Sequence, residues 1–293
     1  MVIFKKKSNK SYLISFLDFI VNHYLHNKSK KLIKEGQNQL VVFAFDHIAH
    51  KINLNGIYER EELEILVEWI KLKYPLLLNG TAIDIGANIG NHSVFFSNYF
   101  KKVKSFEPNY RTYQVLEVNS KLSHNIETFN FGISDKEQSL ILNINKNNIG
   151  GSYLSSTSEI KNQISHDVVK LFKLDSLLNK NDNITLIKID VEGHEVNVLK
   201  GAEEIIKESK PLILFELNIS AFKNGISDEI EILKKYGYKK FATIETSPKF
   251  YAIGSSRFKR IVNFFYSKEN CIIIKNNIVP ANYYFIIAIP ENL

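Results

Sequence analysis

Between residues 81 and 215 the chain alternates short apolar runs with stretches of helical periodicity, a pattern that few folds accept. The runs fall at 81–85, 103–106, 126–133, 184–189 and 211–215, with helices expected at 91–100, 111–122, 195–208 and 228–236. Such runs are too short for helices and nearly continuous in apolar residues, as strands buried on both faces must be. Parallel neighbours need a crossover, and helices in three of the four gaps supply it. The expected fold is therefore α/β: a doubly wound, mostly parallel sheet with helices on both faces. One added strand is expected at 140–144, and strand resumes at 168–174. The polar stretch 145–167, with its Gly150-Gly151 pair, reads as a long loop. The tail from Phe241 is strand-like at both ends, with 283–289 as its last strand and an antiparallel edge expected there.

Residues 1–73 are expected to form an N-terminal helical and strand extension packed on a core domain of residues 74–293. It reads as a helix, a short strand at 40–45, and a helix at 59–73 whose Leu63, Leu66, Val67 and Ile70 share one face. Lys5, Lys6 and Lys7 precede an apolar stretch at 12–25, which superficially resembles a signal peptide. Asp18, Asn22 and His23 interrupt that stretch, and it is too short and polar to span a bilayer. Phe16, Phe19, Ile20 and Tyr24 fall at helical spacing, so an amphipathic helix is expected. It either packs on the domain or attaches loosely to a membrane surface or partner.

The formal charge of +7 is spread over a Lys-, Asn- and Ile-rich sequence and reads as solvated surface. No arginine-rich stripe interleaved with aromatics is present, so no nucleic-acid partner is expected. The lone Cys271 excludes an intrachain disulfide framework and a Cys-based zinc site, and a reducing, cytoplasmic location is the default.

In open α/β sheets ligands bind beyond the carboxyl ends of the strands, near the point where strand order reverses. Asp84, Glu107 and Asp190 all stand at such ends. Gly86 and Gly90 allow a sharp turn and a close backbone approach. Their G-x-x-x-G spacing lacks the pyrophosphate-seating G-x-G-x-x-G, and no P-loop Lys follows. A Gly-rich turn with its own acid suits a ligand carrying positive charge and no phosphate, as the ammonium and sulfonium of S-adenosylmethionine do. Glu107 is placed to accept from two ribose hydroxyls, with Pro108 halting the strand. Gly132, Ile133, Ser134 and Asp135 are placed to contact an adenine.

Lys188 interrupts an apolar strand, where an unpaired charge is expensive, and shares a face with Asp190. Glu192, His194 and Glu195 crowd the turn that follows, a grouping suited to abstracting a hydroxyl proton. Their structural alternative is an ion-paired strand end with helix-capping acids. Glu216 ends a further strand and is a candidate to complete the pocket. With one His in the cluster, no metal is expected.

Together these motifs resemble the FkbM-type methyltransferase family. The residues that carry the likeness are Asp84-Ile85-Gly86-Ala87-Asn88-Ile89-Gly90, Phe106-Glu107-Pro108, Asn119, Gly151-Ser152, Leu174-Asp175 and 187–195, with 198–202, Phe215-Glu216 and Gly56-Ile57-Tyr58-Glu59 in support. The resemblance implies a class I methyltransferase (Rossmann-like) fold, S-adenosyl-L-methionine as cofactor, and O-methylation. By position, Asp84, Gly86, Asn88 and Gly90 would line the methionine end, Glu107 would hold the ribose, and Asp190 and Glu192 would face the transferred methyl. Gly132 stands where relatives often have Ala. The base would be Asp190, Glu192 or His194, and the loop at 145–167 would close over the acceptor with Ser152 and Tyr153 as contacts; Glu195 and Glu216 are further acceptor-side candidates. Family habit points to a small-molecule or glycan hydroxyl as acceptor. The rival readings are a catalytically silent subunit of a glycan-assembly complex and an NAD-dependent oxidoreductase. Oligomeric state is left open.

Overall fold

The computed structural model describes residues 11–145, 152–155, 164–248, 268–275 and 277–293. Lys5, Lys6, Lys7, the Gly150-Gly151 pair and residues 156–163 of the expected loop lie outside the described residues. Two compact units divide the chain between Tyr58 and Glu59.

The first unit holds α1 (Tyr12–Lys34) and α2 (His47–Asn55). Ser11 Oγ accepts from Ile14 N and caps α1. The two helices pack together, and Leu32, Ala49 and Ile52 are buried. The strand expected at 40–45 does not form. Phe45 turns the chain at φ 68° and Asp46 N donates to Phe43 O, so the backbone bends before a ladder can extend. Among the described residues no helix is long and apolar enough to cross a membrane.

The second unit opens with α3 (Arg60–Lys73), which buries Leu63, Leu66, Val67 and Ile70 as their spacing predicts. There follow β1 (Thr81–Ile85), α4 (Asn91–Ser97), β2 (Lys102–Phe106), α5 (Tyr110–Ser120), β3 (Ile126–Phe129), β4 (Gly132–Ile133), β5 (Gln138–Asn145), β6 (Tyr153–Ser155) and β7 (Ile164–Phe172). Then come α6 (Leu174–Leu177), β8 (Ile184–Ile189), α7 (Glu195–Gly201), α8 (Glu203–Ser209), β9 (Leu212–Leu217), β10 (Phe222–Lys223), β11 (Ile226–Ser227), α9 (Asp228–Lys235), β12 (Tyr238–Pro248), β13 (Lys268–Lys275) and β14 (Tyr283–Pro290).

Eight strands form the main sheet in the order β13-β12-β14-β9-β8-β1-β2-β3. From β9 to β3 all neighbours are parallel. β14 and β13 run against them, and β12 runs with them. Every residue of β1 is buried, which requires cover on both faces of the sheet. The order reverses between β1 and β8, so the loops after β1, β2 and β8 open on one crevice.

The tail supplies the expected antiparallel edge as β13, and residues 283–289 form the last strand, β14, between β9 and β12. Residues Ile286 to Ile289 are fully buried and apolar, which suits that interior position. Three further expectations are corrected. The run 126–133 splits: β3 ends the main sheet, while β4 joins a second sheet in the order β4-β7-β5-β6. The stretch 145–167 is not wholly loop, because β6 and the start of β7 lie in it and pair with β5. Backbone ladders carry that pairing, so its polar side chains gave no strand signal. The helix at 195–208 breaks at Ala202, where φ is −116°.

Candidate functional site

Backbone hydrogen bonds lock the three loops together. Gly86 N and Ala87 N both donate to Phe106 O at 3.0 Å, joining the β1 loop to β2. Asp190 N donates to Ile85 O at 3.1 Å, joining the β8 loop to β1. Gly86 has φ 75°, and a Cβ there would stand 1.8 Å from Asp190 O, so no other residue fits without moving a loop. Asn119 Nδ2 donates to Ile89 O at 2.7 Å and holds the far end of the turn.

Beneath this turn lies a buried charge pair. Asp84 and Lys188 face each other in register on β1 and β8, with Nζ 3.0 Å from Asp84 Oδ1. Lys188 Nζ also donates to Gly86 O at 3.0 Å and lies 3.4 Å from Asp190 Oδ2. Ser93 Oγ donates to Asp84 Oδ2 at 2.6 Å. Burial alone would raise the Asp84 carboxyl, but Lys188, His92 and the Ser93 hydrogen bond more than offset it and hold it below its ordinary value. Burial likewise opposes charge on Lys188, and Asp84 and Asp190 overcome it, so its ammonium is held charged well above the usual range.

Above the turn is a cleft enclosing about 670 Å³, part of it continuous with solvent. Gly86, Asn88, Glu107, Pro108, Asn109 and Thr112 line one side. Asp190, Glu192 and His194 line another, and Leu142, Ser152 and Leu154 come from the second sheet and its approach. Glu107 is buried; its Oε2 accepts from Asn88 N at 2.9 Å and its Oε1 from Asn109 N at 2.8 Å. Burial pushes this carboxyl up to about 7 despite those two bonds. Asn109 Oδ1 accepts from Arg111 N as the cap of α5, which fixes the amide orientation and leaves Nδ2 as its remaining donor. Asn109 Nδ2 and Thr112 Oγ1 are buried, and neither has a hydrogen-bond partner.

On the other side, Glu192 sits at φ 49° in the turn after β8. Much of it meets solvent, yet crowding pushes its carboxyl up to about 7, by desolvation first and then by Asp190 and Glu195. Glu216 also rises to about 7, through burial and then Asp190, Glu192 and Glu195. His194 Nε2 is 2.9 Å from Ser134 Oγ, and burial holds the imidazole below its ordinary value against the pull of Asp135.

The structure therefore brings Gly86, Asn88, Glu107, Pro108, Ser152, Asp190, Glu192 and His194 to one cleft. Asp84, Gly90, Ser134, Asp135, Tyr153, Glu195 and Glu216 are not among its lining residues. Asp84 is engaged beneath the turn by Lys188, and Gly90 caps α4 with φ 87°. Ser134 is fully buried and engaged with His194. Burial would raise Asp135, but hydrogen bonds from Asn197 and Ser134 outweigh it. Glu195 Oε1 turns back to accept from Gly193 N and Val191 N, so it shapes the loop. Tyr153 alternates with Leu154, whose side chain takes the cleft side of β6. Asn109 and Thr112 were missed; a cap residue followed three positions later by a small hydroxyl residue was the signal available. Among the described residues no group of three or more His, Cys, Asp or Glu could hold a metal ion.

A doubly wound sheet with an acid-bearing cleft at its switch point defines a Rossmann-like protein whose candidate site lies beyond the carboxyl ends of the strands. The chain belongs to the FkbM methyltransferase family: the Methyltransferase FkbM domain matches residues 84–240, more than half of the chain. Hexuronic acid methyltransferase AglP of Haloferax volcanii is 27% identical over 138 residues, which are 46% of this chain and 54% of that protein. The chain thus matches about half the length of this curated relative. Among solved structures, methyltransferase FkbM from Methylobacillus flagellatus KT is 20% identical, with a TM-score of 0.37, covering 54% of this chain and 36% of that one. Magnesium protoporphyrin IX methyltransferase from Synechocystis PCC 6803 is 9% identical, with a TM-score of 0.38, covering 93% and 96%.

Proposed function

We propose that this protein is an S-adenosylmethionine-dependent O-methyltransferase acting on a hydroxyl of a sugar or glycan precursor. The observation that carries the cofactor reading is the set of buried polar groups on one side of the cleft. Glu107, with lone pairs to spare, suits two ribose hydroxyls. Asn109 Nδ2 and Thr112 Oγ1, a donor and a donor–acceptor without partners, suit a base edge that pairs a ring nitrogen with an amine. These groups fit a nucleoside and take over the adenine role expected of Ser134 and Asp135. Gly86 and Asn88 border the methionine end, with Asp84 and Lys188 fixing the turn from below.

When bound, the cofactor supplies an already activated methyl group. The chain's share is alignment, exclusion of water and removal of one proton. Glu192 is assigned as the base: it lines the cleft, and a carboxyl near 7 is basic enough to take a proton while about half of it is ionised at neutral pH. Asp190 braces the turn through Lys188, and Ser134 orients His194. The sugar acceptor rests on the likeness to the hexuronic acid methyltransferase of Haloferax volcanii. Calorimetric titration with S-adenosylhomocysteine, set beside titration with NAD, tests the cofactor; binding of NAD alone overturns it. Mass spectrometry of glycans from cells with and without the protein tests the acceptor, with loss of an O-methyl group expected and an unchanged glycan profile counting against it.

A further inference from the structure

The chain's positive charge is concentrated at one end. Residues 1–36 hold eight lysines against Asp18 and Glu35, six of the seven net charges of the whole chain. Within this segment α1 runs for 23 residues, of which only Leu32 is buried. Leu13, Phe16, Ile20 and Tyr24 recur at helical spacing and are 47–68% exposed. Continuing the same spacing, Lys28, Lys31 and Lys34 carry that stripe through the last turns. Lys31 approaches Glu35 at 3.7 Å, an exposed contact of little strength. One face is thus apolar and aromatic over its first half and basic over its second.

Water is a poor partner for such a face, and an acidic protein groove would answer only its basic half. We propose that α1 lies in the surface of an anionic lipid bilayer, with Leu13, Phe16, Ile20 and Tyr24 in the acyl boundary and Lys28, Lys31 and Lys34 on the headgroup phosphates. Aromatic rings favour that interfacial depth. Each lysine near an anionic surface contributes about fivefold in partitioning, and the apolar residues add to it by burying area. The helix is too polar to cross the bilayer, so the attachment is peripheral and reversible. This inference is independent of the methyl-transfer reading.

The test is flotation of the full chain with vesicles of phosphatidylcholine alone and of equal parts phosphatidylcholine and phosphatidylglycerol. Binding is expected to the anionic vesicles, with loss at high salt. Replacing Lys28, Lys31 and Lys34 with Gln is expected to lower partitioning about a hundredfold. The pair Phe16→Ser and Ile20→Ser is expected to abolish binding. Far-UV circular dichroism and titration with S-adenosylhomocysteine verify that each variant is folded. Three results overturn the proposal: no binding to either vesicle, equal binding to both, or binding unchanged by the variants. So does a chain that leaves vesicles untouched but dissociates from an oligomer when Phe16 and Ile20 are replaced, since α1 would then bind a second copy.

Discussion

Lys188 Nζ lies 3.0 Å from Asp84 Oδ1 across paired strands β1 and β8, and both side chains are sealed from solvent. The same ammonium donates to Gly86 O, so one cation joins the sheet to the turn that borders the cleft. Lys188→Met keeps the volume but leaves the Asp84 carboxylate buried without its counter-charge. Breaking a buried pair in this way costs about 3–5 kcal/mol, to be read from urea unfolding. The double variant Lys188→Met with Asp84→Asn is expected to recover part of that loss. A single variant as stable as the parent would show that the pair does not hold the turn.

Thr112→Val separates folding from binding. In the free protein Thr112 Oγ1 is buried without a partner, a penalty of about 1–3 kcal/mol, so an isosteric apolar side chain is expected to raise the melting temperature. Binding of S-adenosylhomocysteine is expected to weaken by about five- to tenfold in the same variant. Asn109→Ala is expected to weaken binding too, but with some loss of stability, because its Oδ1 also caps α5. Equal affinity of parent and Thr112→Val would remove this residue from the adenine site.

Periodicity made the centre of the main sheet legible because β1, β8 and β9 are buried on both faces and read as nearly continuous apolar runs. The second sheet was hidden for the opposite reason. In β7, Val169 and Leu171 point inward while Val168 lies 75% exposed, and Ser165, His166 and Asp167 are polar. The acids at strand ends were legible from position, yet their roles depend on which side of the turn they take. Asp84, Glu107 and Asp190 look equivalent in sequence. In the fold Asp84 is consumed by Lys188, whereas Glu107 and Asp190 reach the cleft. Burial creates that difference, and periodicity alone does not report it.

Gly86→Ala tests the closeness of the loops. Its Cβ would stand 1.8 Å from Asp190 O on a backbone at φ 75°, so the β1 and β8 loops must part. Strained backbone of this kind costs about 1–3 kcal/mol, and cofactor binding is expected to vanish by calorimetry. Gly193→Ala is the control: it shares a positive φ but has open space around it, so only the backbone strain should appear.

Glu107 makes cofactor affinity depend on pH. Its folded carboxyl stands at about 7, above the ordinary 4.5, so the folded protein holds this proton more tightly than the unfolded chain. Its contribution to stability is therefore full below pH 4.5 and is lost as pH rises through 7. Ribose hydroxyls donate to the ionised form, so binding expels the proton. Affinity for S-adenosylhomocysteine is expected to rise by up to about tenfold per pH unit below 7 and level off above it. Glu107→Gln is expected to bind weakly and without that slope. A parent protein with pH-independent affinity between 5 and 7 would count against the ribose assignment.

Glu192 should govern turnover without governing cofactor binding. It lines the cleft beyond the β8 turn, and desolvation, Asp190 and Glu195 place its carboxyl at about 7. A base must be ionised to act, so kcat is expected to rise with pH through 7 and then plateau. Removing a positioned base costs about 10²–10⁴-fold, so Glu192→Gln is expected to lower kcat by that amount, abolish the rise near 7 and leave S-adenosylhomocysteine affinity close to the parent's. Asp190→Asn is the comparison. Its side chain approaches Lys188 at 3.4 Å, so this change should disturb the turn and shift cofactor affinity along with kcat. The pH profile separates the two roles: Asp190→Asn also removes a charge that raises Glu192, so it should keep a rise displaced to lower pH, whereas loss of the base removes the rise. If Asp190→Asn loses the rise while Glu192→Gln retains it, the base is Asp190.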